Sequence, residues 1–176
     1  MSAPRIAGVL FDLGDTLLVE EPGKHLWEMT LTPVAHALDL LRWLRPRARI
    51  GVVSNTVGSG DAEVWQVLEG AALRPYVDAI VTSRDFGAAK PDPAIFREAA
   101  RRLDLALEAT CMVGDRLDTD VAGALAAGIP GIWLRHPHGR MVDGIAASHT
   151  ITDLSQLRDW IDPRLAEAGA FDTGAG

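Results

Sequence analysis

Four apolar runs in this chain lead, three at once and one after a short segment, to side chains that can do chemistry. "VLFDLGDTLL" (residues 9–18) passes from a hydrophobic run into Asp12, with Gly14 and Asp15 just behind it. "VVSN" ends on Ser54 and Asn55, "GAAKPDP" carries Lys90, and "MVGDRLDTD" carries Asp115, with Asp120 five residues further on. Together these supply a carboxylate nucleophile, a hydroxyl donor, a compact cation and further carboxylates able to hold Mg²⁺. Each also has a plainer reading: Asp12 and Asp115 as turn or N-cap residues, Ser54 and Asn55 as a cap, Lys90 as a solvated lysine before a proline-started helix. Those readings are reasonable one at a time and poor as a set. Lysine usage sharpens the contrast, because Lys24 and Lys90 are the only lysines among 17 basic residues. In a chain that otherwise takes arginine, an ammonium at residue 90 suits point-charge work between carboxylate and phosphate.

Positioning such groups at one place is the work of an α/β sheet. Apolar, β-rich runs alternate with helical ones, the pattern of a parallel sheet with helices on both faces. Strands are predicted at Ile6–Phe11, Arg49–Ser54, Ala79–Thr82, Cys111–Gly114 and Gly131–Leu134, with a short sixth near Thr150–Ile151. "TPVAHALDLLRWL" reads as an amphipathic helix with Thr32 as N-cap and Pro33 at the first helical position. Further helices are expected over Asp61–Leu73, Asp92–Leu103, Asp118–Ala127 and Leu154–Ile161. In open parallel sheets ligands bind beyond the carboxyl ends of the strands, near a topological switch point, and that is where Asp12, Ser54, Lys90 and Asp115 fall.

Composition narrows the partners. The 176 residues fit one domain, expected over residues 1–165, with 166–176 as a flexible C-terminal tail. A net charge of -7 with acidic and basic residues interspersed argues against a nucleic-acid or anionic-membrane surface. The single cysteine, Cys111, excludes an internal disulfide framework and a multi-cysteine zinc site, and reads as core. No apolar run reaches the roughly 18 residues of a membrane span, and the N-terminus lacks a signal-peptide apolar region, so the cytoplasm is the expected location.

The chain resembles the haloacid dehalogenase-like (HAD) hydrolase superfamily. "FDLGDTL" is similar to its first motif, "VVSN" to its second, "GAAKPDPAIF" to its third and "MVGDRLDTDVAGALAAG" to its fourth, in the right order, over about Ile6–Leu157. The resemblance implies a three-layer Rossmann-like sheet of order 5-4-1-2-3, with Asp12 and Asp115 on adjacent strands. It also implies a Mg²⁺-dependent phosphatase. Asp12 would attack phosphorus to form an aspartyl-phosphate, with Mg²⁺ held by Asp12, the Gly14 carbonyl and Asp115, and Asp120 supporting that shell directly or through water. Ser54 and Asn55 would contact the phosphoryl group, and Lys90 would offset its charge and orient Asp12.

One departure bears on the chemistry. Phosphatases of this superfamily usually carry a second aspartate two residues after the nucleophile, which protonates the leaving group and later activates water. Here that position is Gly14, which offers a carbonyl but no proton. Asp15, one residue on, is the alternative acid/base, against a turn role. Loss of positioned acid–base catalysis, typically worth roughly 10²–10⁴-fold, would leave a slow enzyme that does best with good leaving groups.

The intervals Asp12–Ser54 and Asn55–Lys90 leave no room for a sizeable cap domain. An uncapped site suits a bulky phosphorylated substrate, or a small one enclosed by a second subunit in a homodimer. Trp27 can line the mouth of such a site, and Arg135 or His136, after the fifth strand, can touch substrate. Two rivals remain: a catalytically weakened relative that binds a phosphorylated ligand or protein partner, and a dehalogenase- or phosphonatase-like hydrolase.

Overall fold

A computed structural model of the chain describes residues 5–25 and 28–167; Trp27 and the tail beyond Glu167 lie outside the described residues. Its centre is a six-stranded parallel sheet built from β1 (Gly8–Phe11), β2 (Arg49–Ser54), β3 (Ala79–Thr82), β4 (Thr110–Gly114), β5 (Gly131–Leu134) and β6 (His149–Ile151). The spatial order is β3-β2-β1-β4-β5-β6. This is the expected 5-4-1-2-3 arrangement, read from its other edge, with the short sixth strand added beside β5. The order reverses at β1, which pairs with β2 on one side (Phe11 opposite Val52) and β4 on the other (Phe11 opposite Val113). The crevice between the carboxyl ends of β1 and β4 is therefore the switch point.

Both faces of the sheet are covered, which is why its strands are continuously apolar rather than alternating. Val9, Phe11, Ile50, Val52, Cys111 and Val113 pack under α1 (Ala37–Leu44), α2 (Asp61–Gly70) and the C-terminal elements. Leu10, Val53, Val81 and Met112 point to the opposite face. A four-residue α3 (Ser83–Phe86) follows β3, and α4 (Pro93–Arg102) and α5 (Ala122–Ala127) cover that second face through Ile95, Phe96, Ala99 and Ala124. A final α6 (Leu157–Ile161) returns Leu157 and Ile161 to the first face.

Several boundaries differ from the sequence expectation for physical reasons. The first helix begins at Ala37, not Pro33, because residues 32–34 are drawn into a short ladder with residues 17–19: Val19 N–H donates to Thr32 O and Val34 N–H to Leu17 O, each at 2.9 Å. β1 starts at Gly8 because Ile6 pairs instead with the C-terminal segment, its N–H donating to Arg164 O at 2.7 Å. The expected helix over 118–127 divides into a π-helical turn, Leu117–Val121, and α5. Among the described residues no cap domain interrupts the path from β1 to α1 or from β2 to α4.

Candidate active site

The carboxyl ends of β1, β2 and β4 converge on a cavity of about 330 Å³ lined by Asp12, Glu20, Ser54, Lys90, Asp115 and Asp120, among others. Asp12 leaves β1 half-buried, its N–H donating to Val113 O at 3.0 Å, so the strand pairing itself aims it into the crevice. Ser54, at the last residue of β2, is 6% exposed and faces the same space.

Lys90 is the centre of the arrangement. It is 4% exposed, and its Nζ donates to Asp12 Oδ1 at 2.6 Å and to Val53 O at 2.8 Å, and stands 2.7 Å from Asp120 Oδ1. The Asp120 approach is an ion-pair distance without hydrogen-bond alignment, since Asp120 Oδ1 has no hydrogen-bond partner among the described residues. Burial by itself would push the ammonium down, but the Asp12 and Asp120 carboxylates outweigh it and hold Lys90 above its ordinary range.

The π turn after β4 carries Asp120 back over the strand end, where its Oδ2 accepts from Arg116 N–H at 3.0 Å. π turns of this kind recur at functional sites because they redirect a side chain without ending the helix. Gly114 makes the return feasible: a Cβ there would lie 2.2 Å from Asp120 Oδ2. Asp115 is held by its backbone, with the Trp133 indole N–H donating to its carbonyl at 2.9 Å, while its carboxylate accepts a long 3.4 Å hydrogen bond from Thr16 Oγ1.

Asp12, Asp115 and Asp120 each offer an oxygen within 4.8 Å of the others. Burial and the charges of Asp12 and Asp120 push the Asp115 carboxyl up to about 8. Burial and Asp12 push Asp120 up to about 6, with Lys90 partly opposing. Three carboxylates carry more negative charge than one lysine balances, and an all-oxygen donor set of this kind fits a hard divalent cation.

The remaining residues singled out by the sequence fall in three places. Asn55 reaches the cavity edge, but its amide is spent on Lys90: Nδ2 donates to Lys90 O at 2.9 Å and Oδ1 accepts from Lys90 N–H at 2.8 Å. Asp15 is turned away from Asp12; it adopts a left-handed backbone (φ 52°), its Oδ1 accepts from Glu20 N–H at 2.8 Å, and it lines a neighbouring cavity. In this structure Asp15 serves as a turn residue, one of the two roles expected of it. Arg135 is exposed and lines neither cavity, its guanidinium lying 5.9 Å from the Trp133 ring, whereas His136 does approach, its Nε2 2.6 Å from Asp15 O.

Glu20 was not anticipated. It is an exposed residue in an irregular segment, and only the tight Leu13–Leu18 turn, closed by the Gly14–Leu18 bridge, brings it to the cavity. Burial, Asp15 and Asp12, in that order, raise its carboxyl above the usual range.

A family model described as haloacid dehalogenase-like hydrolase matches residues 23–128, more than half of the chain. The chain belongs to this family. Among relatives, the pyrimidine 5'-nucleotidase YjjG of Escherichia coli strain K12 is 36% identical over 135 residues, covering 72% of this chain and 55% of that protein. A glyceraldehyde 3-phosphate phosphatase of Methanocaldococcus jannaschii is 29% identical over 131 residues, covering 73% of this chain and 56% of that one. The chain thus spans little more than half the length of these HAD relatives. Among solved structures, the putative HAD-hydrolase YfnB of Bacillus subtilis, bound to magnesium, superimposes with a TM-score of 0.74 at 19% identity, over 90% of this chain and 99% of that one. An uncharacterized protein from Listeria monocytogenes serotype 4b gives 0.79 at 24% identity, over 90% and 98%. At these identities the likeness establishes the HAD fold alone. No helix among the described residues is long and apolar enough to cross a membrane.

Proposed function

We propose that this HAD-like chain is a Mg²⁺-dependent phosphohydrolase that acts on phosphate monoesters and acyl phosphates through an aspartyl-phosphate on Asp12. The observation that carries the reading is the contact of Lys90 Nζ with Asp12 Oδ1 at 2.6 Å, beside Asp115 and Asp120, at the switch point of the sheet. The printed names of the relatives, a nucleotidase and a phosphatase, support it.

Lys90 fixes the orientation of the Asp12 carboxylate, so that one oxygen can be presented to phosphorus without first losing side-chain freedom. Asp12 attacks, the bond from phosphorus to the leaving oxygen breaks, and the phosphoryl group is carried by Asp12 until water releases it. Ser54 lies where its hydroxyl can donate to a phosphoryl oxygen, and Lys90 offsets the charge spread over the equatorial oxygens. Asp12, the Gly14 carbonyl and Asp115 would hold Mg²⁺, with Asp120 behind them, and the ion would supply further charge neutralisation at those oxygens. Asn55 acts on Lys90 rather than on substrate.

The test is Mg²⁺-dependent phosphate release across a panel of esters and acyl phosphates, with Asp12→Asn beside wild type. Abolished release in Asp12→Asn is the expected result; undiminished release would remove Asp12 as nucleophile. The absence of a side chain at Gly14 favours a second reading, a weakened relative that binds phosphorylated ligands without turnover. Saturable binding of phosphate or a phosphate ester, with silence across the whole panel, would select it.

A further inference from the structure

An alkyl phosphate cannot expel its alkoxide readily unless a proton arrives as the bond breaks, and the attacking water in the second step must lose one. The question for this site is which group lies beside Asp12 to do both. Asp15 is excluded by its position and by its bond to the Glu20 amide. Lys90 is committed to Asp12, Asp120 and Val53 O. Asp115 and Asp120 belong to the cation cluster.

Glu20 is the remaining carboxylate of the cavity lining, beside Lys24 and His25, and its placement is specific. A Cβ built on Gly14 would lie 3.0 Å from Glu20 Oε2 and 3.4 Å from its carboxyl carbon. The Glu20 carboxyl therefore fills the space beside the Asp12 loop that a side chain at residue 14 would take. Its backbone is fixed there by Asp15 Oδ1, which accepts the Glu20 N–H at 2.8 Å, and by the hydrogen bond from the neighbouring Val19 N–H to Thr32 O at 2.9 Å. The side chain lines the same cavity as Asp12, Ser54 and Lys90 and stays open to solvent, where a leaving group departs and water enters. Asp15 is then a positioning residue for Glu20.

We propose that Glu20 is the catalytic acid and base of this site, donating a proton to the leaving-group oxygen and then taking one from the attacking water. The assignment rests on the phosphohydrolase reading above. In the first half, Asp12 oxygen bonds to phosphorus, the bond to the leaving oxygen breaks, and the Glu20 proton passes to that oxygen to give the free alcohol and a Glu20 carboxylate. In the second half, that carboxylate takes a proton from water as the water oxygen bonds to phosphorus. The bond from phosphorus to Asp12 breaks, and phosphate, the Asp12 carboxylate and protonated Glu20 are returned.

The experiment compares wild type, Glu20→Gln and the double variant Gly14→Asp/Glu20→Ala on propyl phosphate, p-nitrophenyl phosphate and acetyl phosphate with Mg²⁺. Intact-mass spectrometry follows phosphate covalently held on the protein. Glu20 is exposed, so Glu20→Gln should melt with wild type. It should lose roughly 10²-fold or more on propyl phosphate, within the ordinary range of acid–base contributions, and much less in the phosphorylation step with the activated substrates. Phosphoprotein should accumulate from acetyl phosphate, because water is no longer activated. The double variant should regain propyl phosphate hydrolysis, as a carboxylate from residue 14 enters the vacated space. Glu20→Gln turning over propyl phosphate at the wild-type rate without phosphoprotein build-up would overturn the assignment while leaving the hydrolase reading standing. Wild type that neither releases phosphate from any of the three nor becomes phosphorylated would overturn both.

Discussion

The side-chain amide of Asn55 and the backbone of Lys90 form a closed pair: Nδ2 donates to the Lys90 carbonyl at 2.9 Å, and Oδ1 accepts from the Lys90 N–H at 2.8 Å. The residue that follows Ser54 thus ties the end of β2 to the loop that delivers the site's buried cation. Where the ammonium arrives is set from β2, not by the lysine side chain alone.

Asn55→Ala should release that loop. Two hydrogen bonds at the cavity edge are worth about 1–2 kcal/mol net, or a fall of roughly 2–8 °C in Tm for a chain of this size. Because the amide holds Lys90 rather than substrate, the kinetic loss should appear in kcat with KM little changed. A large rise in KM at unchanged kcat would instead place Asn55 on the substrate.

Lys90→Met keeps the length of the side chain and removes its charge. Asp12 and Asp120 would then face each other without the cation now 2.6 and 2.7 Å from them. Removing one partner of a buried ion pair costs about 3–5 kcal/mol, and both folding and turnover should suffer. Urea denaturation reads the first and phosphate release the second. Lys90→Arg is expected to do little better, since a planar fork does not fit a 4%-exposed space shaped for a point charge.

Gly114→Ala tests the close approach of the π turn. The new Cβ would meet Asp120 Oδ2 at 2.2 Å and Asp120 Cβ at 2.5 Å, so Asp120 must move. Overpacking of this kind costs about 1–3 kcal/mol. The displaced carboxylate should also weaken Mg²⁺ binding, read as a smaller Mg²⁺-induced rise in Tm than wild type shows.

The sheet was legible because its strands are buried on both faces: the runs 50–53, 79–81 and 131–134 are apolar, bounded by polar or turn residues, and lie within β2, β3 and β5. Helix starts were less so, since the backbone of residues 32–34 found partners in residues 17–19, a pairing that no local propensity encodes. Asp12, Ser54, Lys90, Asp115 and Asp120 could be gathered because each follows a strand or its loop, and strand order fixes where those ends meet. Glu20 could not, because its place depends on the return of a six-residue turn on itself, and the sheet edge on which Arg135 stands does not decide which way its side chain leaves it.

The carboxylate cluster ties the proposed Mg²⁺ binding to pH dependence. Without a metal, burial and the neighbouring carboxylates push Asp115 up to about 8 and Asp120 up to about 6, both above the 3.8 of an ordinary aspartate, which stands for the unfolded chain. The folded state therefore holds more protons than the unfolded one across that interval, and stability falls as pH rises through it. Below about 3.8 both groups are protonated in either state, and their contribution is fully present. A divalent cation held among Asp12, Asp115 and Asp120 would take the place of those protons, and it would compete best where they are leaving. The rise in Tm caused by saturating Mg²⁺ should accordingly grow from about pH 6 to about pH 8, and chelation should return the steeper metal-free decline. Differential scanning calorimetry at a series of pH values, with and without Mg²⁺, checks this. A Mg²⁺ effect that is flat across the interval would mean that the ion binds elsewhere than at these carboxylates. Asp115→Asn should flatten it too, because it removes the carboxyl with the higher titration point and a ligand together.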